Sequence, residues 1–186
     1  MTGLDRASGP RKIVVMMFGL AGLVLGAGTM AASAATPARQ ANSVQGGTYQ
    51  LLNARSAECL AVGGGSRQQG ATVIQWGCDG QNKQQWVVDT SNTKVGGDGR
   101  TYYHIVNVNS GMCLAVPGGS TAWNLQLIQW PCGSWNDHYW SLDNGTGTQG
   151  LMRNYNSSLC MAVGGASLTQ GAPVIQWGCN YSAYEQ

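Results

Sequence analysis

The chain has 186 residues, 10% of them charged, with a formal net charge of +2. That length fits one ordinary domain. So small a positive excess excludes a protein built to grip nucleic acid or an anionic membrane through a basic field. Gly, Asn, Gln, Ser and Trp are plentiful, which suits a loop-rich β protein that meets neutral, hydroxylated partners.

The first 34 residues differ from the rest. Arg6, Arg11 and Lys12 precede an apolar run from Ile13 to about Gly28, and Ala32-Ser33-Ala34 forms a small-x-small cleavage signal. This is the three-part pattern of a secretory signal peptide. The run is short and glycine-containing for an anchor of ~20 residues. The sequence therefore predicts cleavage after Ala34 and a secreted product with no membrane segment. Phe18, the only Phe, is lost with the signal. The remainder carries seven basic and seven acidic residues and is close to neutral. Residues 35–47 read as a flexible leader without chemistry. All six Cys lie beyond the signal, and an even count in an exported chain predicts disulfides.

From residue 48 onward the chain repeats itself three times, over about 48–95, 101–145 and 150–186. The first copy runs from Cys59-Leu-Ala-Val to Val73-Ile-Gln-Trp-Gly-Cys78. The second runs from Cys113-Leu-Ala-Val to Leu127-Ile-Gln-Trp-Pro-Cys132. The third runs from Cys160-Met-Ala-Val to Val174-Ile-Gln-Trp-Gly-Cys179. An Asn (Asn53, Asn107, Asn154) and a Ser (Ser56, Ser110, Ser157) recur at fixed places before each first Cys and read as turn residues. Gly70, Asn124 and Gly171 share one position, a turn with positive φ. Short apolar stretches between the turns predict strands of four or five residues, and no stretch carries a long helical period. Four such strands per repeat give twelve, which a barrel capped by hairpins with threefold pseudosymmetry accommodates. Six Cys allow fifteen connectivities in principle. The repetition favours Cys59–Cys78, Cys113–Cys132 and Cys160–Cys179. Zinc fits poorly, because no C-x-x-C spacing occurs and His104 and His138 do not recur.

This pattern of Cys-Leu-x-Val, Gln-Trp-x-Cys and Gln-x-Trp resembles the ricin B-chain type lectins and carbohydrate-binding modules. The resemblance covers about residues 46–186 and implies an all-β β-trefoil. It also implies sugar pockets, each with an aromatic platform just before the second Cys, here Trp76, Trp130 and Trp177. The alternative reading of these three is packing around the neighbouring disulfide. The family's acceptor Asp in Cys-Leu-Asp-Val is replaced by Ala61, Ala115 and Ala162. Its second polar position is held by Lys83, Asp137 and Tyr184, and Gln84 keeps the Gln that follows. Trp86 and Trp140 read as core. Gln75, Gln129 and Gln176 serve either backbone bonding or a ligand. Trp123 and Trp135 do not recur, and extend a repeat-two site if exposed.

The third repeat stops one position before its closing Trp, since that residue would follow Gln186. The expectation is a fragment or truncated reading frame whose natural product continues with a twelfth strand. No pair of recurring carboxylates and no Ser-His-Asp set suggests an enzyme. The sequence thus predicts a secreted, monomeric, non-catalytic carbohydrate-binding protein. Its partner is a polysaccharide, bound weakly at up to three sites, with no cofactor, metal or nucleic acid. Two alternatives stand beside this: the accessory module of a longer secreted glycoside hydrolase, and a protein-binding trefoil acting as inhibitor or adhesion factor.

Overall fold

The structure is a computed structural model that describes residues 11–13, 45–143 and 150–180. Most of the predicted signal peptide and leader lie outside the described residues. So do Tyr184, Glu185 and the place of the expected twelfth strand. The described strands are β1 (Arg11–Ile13), β2 (Gly47–Leu51), β3 (Cys59–Val62), β4 (Val73–Trp76), β5 (Trp86–Val95), β6 (Thr101–Asn107), β7 (Cys113–Ala115), β8 (Leu125–Gln126), β9 (Ile128–Trp130), β10 (Tyr139–Asp143), β11 (Leu151–Asn154), β12 (Cys160–Val163) and β13 (Val174–Trp177). No described helix is long and apolar enough to cross a membrane.

The fold is a β-trefoil. Strands β2, β5, β6, β10 and β11 follow one another by antiparallel pairing, and β1 runs parallel along the other edge of β2. The hairpins β3–β4, β7–β9 and β12–β13 pair in the same register: Cys59 opposite Trp76, Cys113 opposite Trp130, Cys160 opposite Trp177. Each hairpin is clamped by one disulfide, and the three bonds are Cys59–Cys78, Cys113–Cys132 and Cys160–Cys179.

Alternation along the strands explains the packing. Leu60, Val62 and Val73 point inward from the first hairpin; Leu114, Val116 and Leu127 do so from the second, and Val174 from the third. Trp86 and Trp140 are fully buried among them, and each indole N–H donates to a strand carbonyl, Leu60 O at 2.9 Å and Leu114 O at 3.0 Å. A buried Trp with its N–H satisfied adds apolar area without an orphan donor. Both Trp therefore occupy the core, as the sequence predicts.

The repeats are locked together in a cycle. Gln75, Gln129 and Gln176 lie on the inward face and are almost completely buried. The amide N–H groups of Gln129 donate to Ser66 O and Gln68 O of repeat one, at 2.9 and 2.8 Å. Those of Gln176 reach Ser120 O and Ala122 O of repeat two. Those of Gln75 reach Ser167 O and Thr169 O of repeat three, closing the circle. Each Gln oxygen accepts from the recurring Ser of its own repeat, Ser56, Ser110 or Ser157. A second cycle runs outside it. Arg55, Asn109 and Asn156 donate to the carbonyls of Ala166, Gly65 and Gly119 of the preceding repeat.

Candidate functional site

Each hairpin turns its other face outward. On β4 the burial alternates, so that Val73 and Gln75 are buried and Trp76 is exposed. Ile74 and Trp76 therefore share a face with Ala61, which pairs with Ile74 across the hairpin. Ala115, Ile128 and Trp130 make the same set in repeat two, and Ala162, Ile175 and Trp177 in repeat three. The Ala floors are buried to within a few per cent. Each floor is thus a covered methyl group, with no side-chain hydrogen-bonding group of its own.

After each β-strand floor the chain makes one tight 3₁₀ turn: Gly63–Gly65, Pro117–Gly119 and Gly164–Ala166. In repeat one the Lys83 stem passes over this turn, with its Cδ 3.6 Å from where a Cβ on Gly65 would sit. Its ammonium reaches Asp79 at 2.8 Å and Gln81 at 3.0 Å. In repeat two Asp137 Oδ1 takes the same place, 3.6 Å from a Cβ on Gly119. Asp137 is largely buried and lies 3.7 Å from His138 Nε2. The Lys83 hydrogen bond holds the Asp79 carboxyl below its ordinary value. The turn of repeat one is thus overlaid by a Lys ion-paired to Asp79, and that of repeat two by the Asp137 carboxyl group.

Gln84 sits beneath the loop rather than in the cleft. It is fully buried; Asp79 N–H donates to its oxygen at 2.8 Å, and its own amide donates to Gly77 O at 2.7 Å. It braces the loop that carries Lys83 and has no surface to offer a ligand.

Trp76 and Trp130 are 40% and 36% exposed. Each indole rests on a turn of the neighbouring repeat. Trp130 Cζ3 lies 3.7 Å from the place of a Cβ on Gly70, and Trp76 Cζ3 lies 3.8 Å from that on Gly171. Both glycines have positive φ, 79° and 83°. Asn124 holds the third equivalent turn at φ 61° and lines the repeat-three cleft beside Trp177. That cleft has a volume of about 390 Å³ and is floored by Ala162 and Ile175.

Trp123 and Trp135 are 59% and 58% exposed. Trp135 stays in repeat two, laid over Gly133 and tilted against the His138 ring at 5.2 Å. Trp123 does not: it meets Trp177 of repeat three edge to face, with ring centroids 5.1 Å apart. The sequence expectation that Trp123 extends repeat two is corrected by the cyclic contact between repeats, which carries it across the seam.

Among the described residues one grouping has the span of a metal site, His104 with Cys113 and Cys132. Its two sulfurs are bonded to each other, so neither is a thiolate. His104 Nε2 lies 3.1 Å from Gly133 O.

The model of the ricin-type β-trefoil lectin domain-like family matches residues 38–98 and 92–177. Among solved structures, the designed threefold symmetric protein ThreeFoil is 32% identical, with a TM-score of 0.66 over 75% of this chain and 94% of that one. An exo-β-1,3-galactanase from Clostridium thermocellum is 26% identical, with a TM-score of 0.66 over 74% of this chain and 28% of that one. The hemolytic lectin CEL-III is also 26% identical, with a TM-score of 0.56 over 74% of this chain and 28% of its own. No curated protein matches the sequence.

Proposed function

The chain belongs to the ricin-type β-trefoil lectin domain-like family, and on that premise we propose that it is a secreted, monomeric, non-catalytic protein that binds polysaccharide at up to three outward clefts. The observation that carries the reading is the recurrence of one indole, Trp76, Trp130 and Trp177, at the same end of three clefts on one rigid body. The C–H face of a sugar ring packs on an aromatic plane, while hydroxyls at its edge need donors and acceptors. Here the buried acceptor is gone from every floor, and each missing charge-assisted bond is worth about 1.5–3 kcal/mol. Each site is therefore weak. Linking several weak sites raises retention on a polymer by about 10²–10⁴-fold.

Three disulfides suit an oxidising, extracellular setting. The near balance of charge favours a neutral glycan over nucleic acid or an anionic membrane. A second reading, a module that anchors a hydrolase to its substrate, draws on the likeness to the galactanase, of which the matching part is 28%. A protein-binding trefoil remains the outcome if no glycan is held.

The test compares wild type with a Trp76→Ala/Trp130→Ala/Trp177→Ala variant on a glycan array and on insoluble polysaccharide, β-1,3-galactan among them. Circular dichroism confirms that the variant is folded. Wild type should be retained and the variant should lose at least about tenfold in retention, given the stacking contribution of about 0.5–1.5 kcal/mol per site. Equal retention of the two would remove stacking as the mode of binding. A wild type that holds no glycan would remove the lectin reading.

A further inference from the structure

The three clefts are not equivalent, and the difference lies in one residue contributed across a seam. Ten positions after the first Cys, repeats one and three carry Gln69 and Gln170, while repeat two carries Trp123. In repeats two and three the cyclic packing sets this position against the residue after the platform Trp of another repeat. Gln170 lies over Gly77, with Nε2 2.6 Å from the place of a Cβ. Trp123 lies over Gly178 in the same way, with Cη2 at 2.6 Å. Repeat two thus lends an indole to the cleft of repeat three.

There it stands against Trp177 at an interplanar angle of 63°, and 59% of it remains exposed. The neighbouring Asn124 lines the same cleft, where repeats one and two are met by the glycines Gly171 and Gly70. Its amide both donates and accepts. None of the described residues lining the cleft is charged.

We propose that Trp123 is a specificity-determining second platform, which makes the repeat-three cleft a site for at least two consecutive units of a neutral glycan. This rests on the lectin reading above. Two indoles turned through 63° cannot both stack on one sugar ring. They can each meet a different unit of a chain, because successive rings are rotated about the glycosidic bond. The Asn124 amide at the seam then reaches hydroxyls beside the linkage. In repeats one and three the position of Trp123 is Gln, so no indole is lent across the seam to the clefts of repeats one and two, which hold one unit.

The test uses the whole chain in a Trp76→Ala/Trp130→Ala background, so that only the repeat-three cleft is read. Galactose, β-1,3-galactobiose and β-1,3-galactotriose are titrated by calorimetry, with xylo- and cello-oligosaccharides of the same lengths as further arms. Trp123→Gln installs the residue that the other repeats carry, which keeps the variant foldable. Trp123→Gln should weaken binding of di- and trisaccharide by about fivefold or more and leave the monosaccharide within about twofold. Trp177→Ala should weaken all lengths. If Trp177→Ala loses binding while Trp123→Gln changes nothing, or weakens every length alike, the second platform is refuted and the lectin reading stands. If the protein with all its Trp residues binds no oligosaccharide in any arm, both readings fall.

Discussion

Gln129 illustrates how a single polar side chain specifies this architecture. It is buried on the core face of β9, yet all its amide hydrogen-bonding groups are spent: two donors on Ser66 O and Gln68 O, and an acceptor on the Ser110 hydroxyl at 2.7 Å. Replacing it with Met keeps the volume and removes three hydrogen bonds at once, leaving the Ser66 carbonyl and the Ser110 O–H without their Gln129 partner, while the Gln68 carbonyl keeps its bond from Ala71 N–H. Each orphaned group costs about 1–3 kcal/mol, so Gln129→Met should lose at least about 2 kcal/mol in urea unfolding. Gln75→Met and Gln176→Met should lose about as much, because their partners are the same by symmetry. A loss confined to one of the three would mean that the cycle is not a shared source of stability. The recurrence of Gln and Ser was legible in the sequence, but their partners were not. The carbonyls they serve lie 54 to 94 positions away, and a main-chain acceptor leaves no mark of its partner in the residue type. The same limit hid the role of Gln84, whose family position suggested a ligand and whose burial assigns it to the loop beneath.

The hairpins are the elements most completely written into the chain. Their strands, turns and pairing all follow from a motif repeated three times, and the disulfides join Cys residues a constant 19 positions apart. In the chain-entropy model each such loop, left open, costs about 3 kcal/mol. Replacing Cys59 and Cys78 by Ala should therefore lower stability by about 3 kcal/mol. The same change at Cys113 and Cys132, or at Cys160 and Cys179, should match it, as read from urea midpoints. A large spread among the three pairs would show that local packing, not loop closure, sets the value. Sequence spacing did not reveal how hairpins join one another. The short strand β8 crosses to β13, and Thr72 bridges Ile128 while Ile74 bridges Pro173. The β8–β13 pairing sets Trp123 beside Trp177. Periodicity within one repeat carries no information about these contacts.

At the scale of the whole molecule, two histidines that break the threefold symmetry contribute to the acid side of stability. His104 and His138 are buried, their rings 6.3 Å apart, and Lys94 stacks over Tyr139 close by. Burial holds His104 below its ordinary value of 6.5, with Lys94 adding to the effect and the Gly133 carbonyl and Asp89 opposing it. Burial also lowers His138, assisted by His104 and Lys94 and opposed by Asp137. The folded protein therefore takes up protons on these rings less readily than the unfolded chain does. Their contribution to stability is complete above about pH 6.5 and is lost as the pH falls below it, toward the lower folded values. A separate loss belongs further down. Although burial pushes the Asp98 carboxyl up, hydrogen bonds from Arg100 and Tyr102 bring it to about 2, so its share is lost only below about 3.8. The urea midpoint should thus fall between about pH 7.5 and about pH 5. His104→Gln with His138→Phe should flatten that fall while leaving the lower, carboxylate-linked limb in place. Gln preserves a donor toward Gly133 O, and Phe preserves a ring against Trp135 and removes the unpartnered Nδ1 of His138. An unchanged slope in the double variant would place the acid sensitivity elsewhere. Because Asp137 and Trp135 ride on the same loop as His138, the repeat-two cleft is the first that acid should open. Retention on a polymer should then drop with the loss of one site while the other two hairpins still stand.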